Sequence, residues 1–262
     1  MITIDVMQPC PDEEFAWIRA GREKLRTATD RHLGNLVSHL IPNRFEAYAK
    51  ILHRIEASYR YIDDPNPLTE NENAVLKIEP CTKLRAFVEN IRKEGLGRRI
   101  KWRALARCLG VPFEPEICSR WFYASLEDPT CAARFLNGPE DGNLNADELS
   151  EVISALRSLS VGQECFFRFA EWPYIKTGKP LVFRGNLSDL VTFLDDKPDR
   201  RITSEYWWPA NRTWCLCSDY DLTFTIIAGP KDLISRILKK STLEALQVTP
   251  QTRIDSLAPI PR

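Results

Sequence analysis

The residues of this 262-residue chain that chemistry could use fall into a few groups. The densest runs from Tyr206-Trp-Trp-Pro to Asp221. Trp207, Trp208, Trp214 and Tyr220, with Arg212 among them, would form an aromatic wall for a flat ligand, a base or a peptide. The same residues would serve equally as core and corner packing, with Arg212 in an ion pair. Asp219 and Asp221 flank Tyr220 and face the same way on an extended backbone. They suit a divalent cation if a third carboxylate such as Glu171 converges on them, and otherwise read as turn acids between two strands. His53 is the one histidine in an organised motif. As a general base it would need Cys215, Cys217 or Ser218 as its nucleophile, but no Gly-x-Ser-x-Gly elbow supports that pairing. A structural histidine at a strand end is the alternative.

A fourth group is electrostatic. Lys83, Arg85, Arg92, Lys93, Arg98, Arg99, Lys101, Arg103 and Arg107 are opposed between Lys83 and Arg107 only by Glu89 and Glu94. The run would meet phosphate or an acidic protein, or form a solvated helical face. It holds one aromatic, Trp102, and no helix-turn-helix or RNA-reading signature, which argues against nucleic acid. Gly95-Leu-Gly97 is an isolated turn rather than a phosphate-binding loop. Over the whole chain Lys plus Arg equals Asp plus Glu, so no net charge steers it to nucleic acid or acidic lipid.

The eight cysteines, at 10, 81, 108, 118, 131, 165, 215 and 217, include no Cys-x-x-Cys pair and no nearby His, so zinc-ligand spacing is absent. No metal or cofactor is expected. All eight read as free, small, buried hydrophobes; Cys215 and Cys217, two apart on a strand, point to one face at roughly 6–7 Å, too far for an easy disulfide. No apolar stretch approaches a membrane span, and the N-terminus lacks the regions of a signal peptide, so the expected place is the cytosol.

The elements that would hold these residues follow from pattern. Pro11 with Asp12, Glu13 and Glu14 predicts a helix start, continuing at helical spacing to about Ala28. Phe45 to Glu56 alternates with period two, the signature of a half-buried strand. Asp63 to Asn73 is a Pro-broken loop. Helices are expected at Thr82–Arg92, capped by Thr82, with Leu84, Phe87, Val88 and Ile91 inward, and at Trp102–Leu109, ending at Gly110. Gly138–Asn143 is a loop before a helix capped by Asn145, with Leu149, Val152, Ile153 and Leu156 as its stripe. Strands follow at Cys165–Phe169 and Leu181–Arg184, a helix at Leu187–Leu194, strands at Thr213–Ser218 and Leu222–Ile227, and a helix at Lys231–Lys239. Phe183-Arg-Gly-Asn-Leu-Ser-Asp and Ile227-Ala-Gly-Pro-Lys-Asp share a strand, Gly turn, helix pattern, as two related units on one sheet or as convergent turn chemistry.

Several segments resemble a family of uncharacterised bacterial proteins. They are Leu40-Ile-Pro-Asn-Arg-Phe-Glu-Ala-Tyr-Ala-Lys-Ile-Leu-His53, Lys101-Trp-Arg-Ala-Leu-Ala, Cys165-Phe-Phe-Arg-Phe, Phe183-Arg-Gly-Asn-Leu and, above all, Tyr206 through Asp221. The resemblance covers roughly residues 36 to 255 and implies a shared fold without an activity. The expected architecture is α+β: a mixed, mostly antiparallel sheet with helices packed on it, as one domain over 35–262 preceded by an N-terminal helical appendage over 1–34. The expected function is non-catalytic binding of another protein in the bacterial cytosol, immunity-like or regulatory, with no membrane partner. The runner-up is an enzyme on a nucleotide or other small anionic substrate, using Asp219, Asp221 and Arg212.

Overall fold

A computed structural model describes residues 7–23, 34–59, 62, 79–126, 129–169, 181–190 and 204–254. The architecture is α+β, and the chain forms two compact units. The first joins Met1–His53 to Asp141–Arg253, and the second joins Arg54–Glu140 to Ile254–Arg262. The division therefore falls elsewhere than the 34/35 boundary expected from sequence.

The first unit is built on eight strands, numbered in chain order: β1 (Gln8–Cys10), β2 (Ala47–Leu52), β6 (Cys165–Phe169), β7 (Leu181–Gly185), β8 (Tyr206–Pro209), β9 (Cys215–Cys217), β10 (Phe224–Gly229) and β11 (Ala245–Val248). They lie in the order β1-β7-β6-β8-β9-β10-β2-β11, and every described pairing is antiparallel. Register fixes which side chains share a face. One cross-strand row reads Pro9, Phe183, Phe167, Trp207, Leu216, Ile227, Ala49 and Gln247. It faces a core completed by helices α7 (Ala146–Leu156) and α8 (Lys231–Lys239), through Leu149, Val152, Ile153, Leu233, Ile234 and Ile237. The next row, Cys10, Val182, Arg168, Tyr206, Cys217, Ile226, Lys50 and Leu246, faces the other way.

That second face is not open to water. The N-terminal segment, with helix α1 (Ala16–Gly21) and the short helix α2 (Val37–Leu40), lies on it. The Phe15 ring sits 4.7 Å from Tyr206 and 5.9 Å from Trp208, and the Tyr206 hydroxyl donates to the Leu40 carbonyl at 3.1 Å. Tyr48 likewise donates to the Pro42 carbonyl at 3.0 Å. Gly21 permits this approach, since a Cβ there would lie 2.9 Å from that of Pro42. The expected helical appendage is instead part of the sheet unit: a strand, a turn of 3₁₀ helix at Asp12–Phe15 and α1, with the helix ended by extended backbone at Arg22. The rest of the predicted run to Ala28 lies outside the described residues. The half-buried reading of Phe45–Glu56 is corrected for the same reason: Tyr48 to Leu52 are buried on both faces.

The strongest local signals are realised. The Asn145 side chain accepts from the Glu148 amide at 2.9 Å, and Glu148 answers the Asn145 amide, a reciprocal box at the start of α7. β10 and α8 form the predicted strand–Gly–helix unit. β7 ends the same way at Gly185, and Leu187 and Leu190 join the same core cluster as Leu233 and Ile234. The helix expected over Leu187–Leu194 leaves the described residues after Leu190, and the loop at 63–73 lies outside them.

The second unit packs α3 (Glu79–Lys93), α4 (Trp102–Leu109), α5 (Ser119–Ser125) and α6 (Pro129–Phe135) beside a sheet of order β4-β3-β5: β3 is Ile55–Ala57, β4 Arg99–Ile100 and β5 Leu136–Asn137. α3 turns Leu84, Val88 and Ile91 inward as expected, but Thr82 lies inside the helix rather than capping it, and Phe87 is only half-buried. α4 ends at Gly110 with φ 69°, a left-handed cap that glycine adopts without penalty. Cys81 of α3 and Cys131 of α6 form a disulfide, which corrects the reading of eight free cysteines; Cys10 and Cys108 are half-buried rather than buried. A link between residues 50 apart restricts the unfolded chain, typically by 2–4 kcal/mol. Reduction, or the paired change Cys81→Ala and Cys131→Ala, is expected to lower the stability of the second unit by about 2–4 kcal/mol in a denaturant titration. An unchanged midpoint would mean that the two thiols are not joined.

Candidate functional site

The motif from Tyr206 to Asp221 is the β8–β9 hairpin and the turn that follows it. Because strand neighbours point to opposite faces, Trp207 and Trp208 cannot share a wall. Trp207 enters the helix-covered core and donates its Nε1–H to the Ser204 carbonyl at 2.9 Å. Trp208 enters the opposite face and stacks on Phe166, centroids 5.5 Å apart and planes 9° apart. Trp214 is fully buried in the same core as Trp207. Only Tyr220, 53% exposed, meets solvent. These indoles pack the sheet and present no common surface to a ligand.

Arg212 occupies the hairpin turn with φ 54°, the one non-glycine residue with positive φ among the described residues. The Asn211 side chain orders this turn by accepting from both the amide and the hydroxyl of Thr213. The Arg212 guanidinium lies over the Trp17 ring at 5.4 Å, and the ion pair that sequence offered is not made with any described residue.

His53 follows β2 and is completely buried. Its Nε2 is 2.9 Å from the Thr225 hydroxyl, which is 2.6 Å from the Ser218 hydroxyl. Of the three nucleophiles offered to His53, Ser218 is therefore the one it reaches, and through Thr225. None of these three side chains is more than 2% exposed, so the chain acts as a polar tie between the ends of β2, β9 and β10. Cys215 and Cys217 lie on the other face of β9, where burial pushes both thiols above the ordinary thiol range and away from thiolate chemistry.

Asp219 accepts the Asp221 amide at 3.0 Å, an arrangement in which the first acid closes a turn. Burial is the chief cause that raises the Asp219 pKa, and the Asp221 charge adds to it. Asp141 is raised by its own burial and then by Asp221. Glu171 lies outside the described residues, and no group of three or more His, Cys, Asp or Glu side chains among the described residues could hold a metal ion. Of the two readings given for Asp219 and Asp221, the geometry is that of turn acids, and Asp141 beside them was in neither reading.

The basic run falls on the second unit. Seven of its nine side chains are exposed, on α3, on α4 and on the strand-bearing link between them; Arg99 and Lys101 are half-buried. Lys83 and Arg85 pair with Glu79 and Glu89 along α3. Arg92 and Arg98 both lie 5.7 Å from the Tyr59 ring centroid, so the fold gathers positive charge there.

Two features escaped the sequence. Lys50 is fully buried with its ammonium 4.5 Å from the Phe224 ring centroid, although alternation placed it toward solvent. Trp17 and Arg44, the ring and the second guanidinium beside Arg212, carry no local signal, since the contact joins three distant segments. No protein-family model, curated protein or solved structure matches the chain.

Two outcomes follow. Thr225→Val removes the hydroxyl between His53 and Ser218 and is expected to destabilise the fold by about 1–3 kcal/mol, with Thr225→Ser much milder; equal stability in chemical denaturation would dissolve the tie. A carboxyl raised by burial favours the folded state in its neutral form, so the stability it supports is present below pH 3.8 and lost as pH rises through the raised value. Asp219→Asn keeps an acceptor for the Asp221 amide and is expected to melt higher than wild type at pH 7, with the gap closing toward pH 3.8. A lower melting point at pH 7 would show that the charge is wanted.

Proposed function

We propose that this chain is a non-catalytic binding protein, immunity-like or regulatory, whose second unit docks an acidic protein. The observation that carries this reading is the exposed basic surface of residues 83–107, with its arginines prominent. Arginine presents a planar fork that pairs carboxylates bidentately, so a surface rich in it suits Asp and Glu side chains. Exposed charges of one sign also steer encounter with a complementary partner and make it salt-sensitive. Exposed Leu96, beside Gly95 and Gly97 in the turn after α3, adds an apolar contact within the same surface.

An enzyme working through Asp219, Asp221 and Arg212 draws less from the geometry. The Asp219 side chain turns back on the Asp221 amide, and Arg212 lies over Trp17. For a cytosolic setting, six of the eight cysteines carry free thiols, which suits a reducing compartment. The Cys81–Cys131 bond is the exception, and both of its cysteines are fully buried. No described helix is long and apolar enough to cross a membrane.

The test is capture at low salt by wild type and by the triple variant Lys93→Glu, Arg103→Glu and Arg107→Glu, with the captured protein identified. Recovery of one strongly acidic protein, lost both at high salt and in the triple variant, is the expected result. Capture that ignores the reversal, or that disappears with nuclease, would overturn the reading.

A further inference from the structure

Arg44 and Arg212 come from turns far apart in sequence, yet both guanidiniums lie over one indole, that of Trp17, at 5.6 and 5.4 Å. Both arginines are exposed, and neither is in an ion pair with a described carboxylate. Trp17 is half-buried, held edge-on by Trp208 at 6.5 Å and by Phe45 at 6.4 Å, so the platform under the two cations is fixed by the sheet. Its Nε1–H is buried and makes no hydrogen bond among the described residues. Every polar group of the cluster is thus a donor, because guanidinium and indole accept nothing. An acceptor-rich anion between the two cations would offset their mutual repulsion.

The backbone at Arg212 adds an independent sign. A non-glycine residue at φ 54° is strained, and glycine would hold the same turn without that penalty. All the other positive-φ positions among the described residues are glycines. Strain kept at one position, where a side chain is delivered onto a platform shared with a second arginine, is the pattern of a binding residue.

We propose that Arg44, Trp17 and Arg212 form an oxyanion site on the first unit, taking a small ligand with two negative charges, a diphosphate or a dicarboxylate. The indole ring carries the two guanidiniums, so it holds them in place and does not stack on the ligand. Each arginine supplies a fork of N–H donors to one anionic group. The site is separate from the basic surface of residues 83–107 and does not depend on the proposed protein partner.

The experiment follows the Trp17 indole N–H by ¹H–¹⁵N correlation, assigned with Trp17→Phe, during titration with diphosphate and with malonate at ionic strength held constant by chloride. The expected result is a saturable shift of that signal by one or both anions; the one that acts assigns phosphoryl or carboxylate oxygen. Arg212→Gly is expected to weaken binding by at least about tenfold while raising the melting temperature, which separates lost binding from lost folding. Arg44→Lys keeps the charge but loses the fork, and is expected to weaken binding as well. The proposal falls if neither anion shifts the signal saturably into the millimolar range, or if Arg212→Gly binds as well as wild type.

Discussion

An antiparallel sheet buried on both faces must be covered twice, and the rest of the first unit follows from that demand. The row containing Trp207, Leu216 and Ile227 is apolar and is met by α7 and α8. The neighbouring row on the other face contains Arg168, Tyr206, Cys217 and Lys50, groups that need partners once water is removed. The N-terminal segment supplies several of them. Arg168 reaches Glu205 and Asp12 while its guanidinium lies 4.3 Å from the Phe15 ring, and Arg22 donates to the Tyr206 hydroxyl at 2.9 Å. A segment that looks detachable in sequence is thereby bound into the sheet by directional contacts.

The same demand explains why the most chemical-looking motif became structure. β8 and β9 sit in the middle of the eight strands, so their side chains have no solvent on either side. Aromatic rings there fill volume, and each full truncation of such a ring typically costs 3–5 kcal/mol. Polar residues near them are drawn into ties such as His53–Thr225–Ser218. Exposed charged side chains stand at the rim, at Arg44 and Arg212, and on the second unit.

What sequence made legible was local. α4 ends at Gly110, α7 begins at Asn145 and α8 spans the expected Lys231–Lys239, because caps and turns are decided by a few neighbouring residues. The hidden features were long-range. Alternation runs unbroken from Phe45 to Glu56, yet the partners change from β10 and β11 to β4 and β5 across His53 and Arg54, where the two units divide. Period two shows that a strand exists and is silent about whether a distant segment covers its second face, which is why Lys50 read as exposed. Cys81 and Cys131 lie 50 residues apart with no motif to join them, and the three members of the Trp17 cluster are equally scattered.

Strands β8, β9 and β10 form the sealed centre of the first unit. Native-state hydrogen exchange resolved to residues measures this directly. The amides of Trp207, Leu216, Ile227 and Ala49 are expected among the slowest in the unit, opening only with global unfolding. If they exchange as fast as the loop at Gly138–Asn143, the motif is an exposed, working surface and the centre of the unit is not sealed.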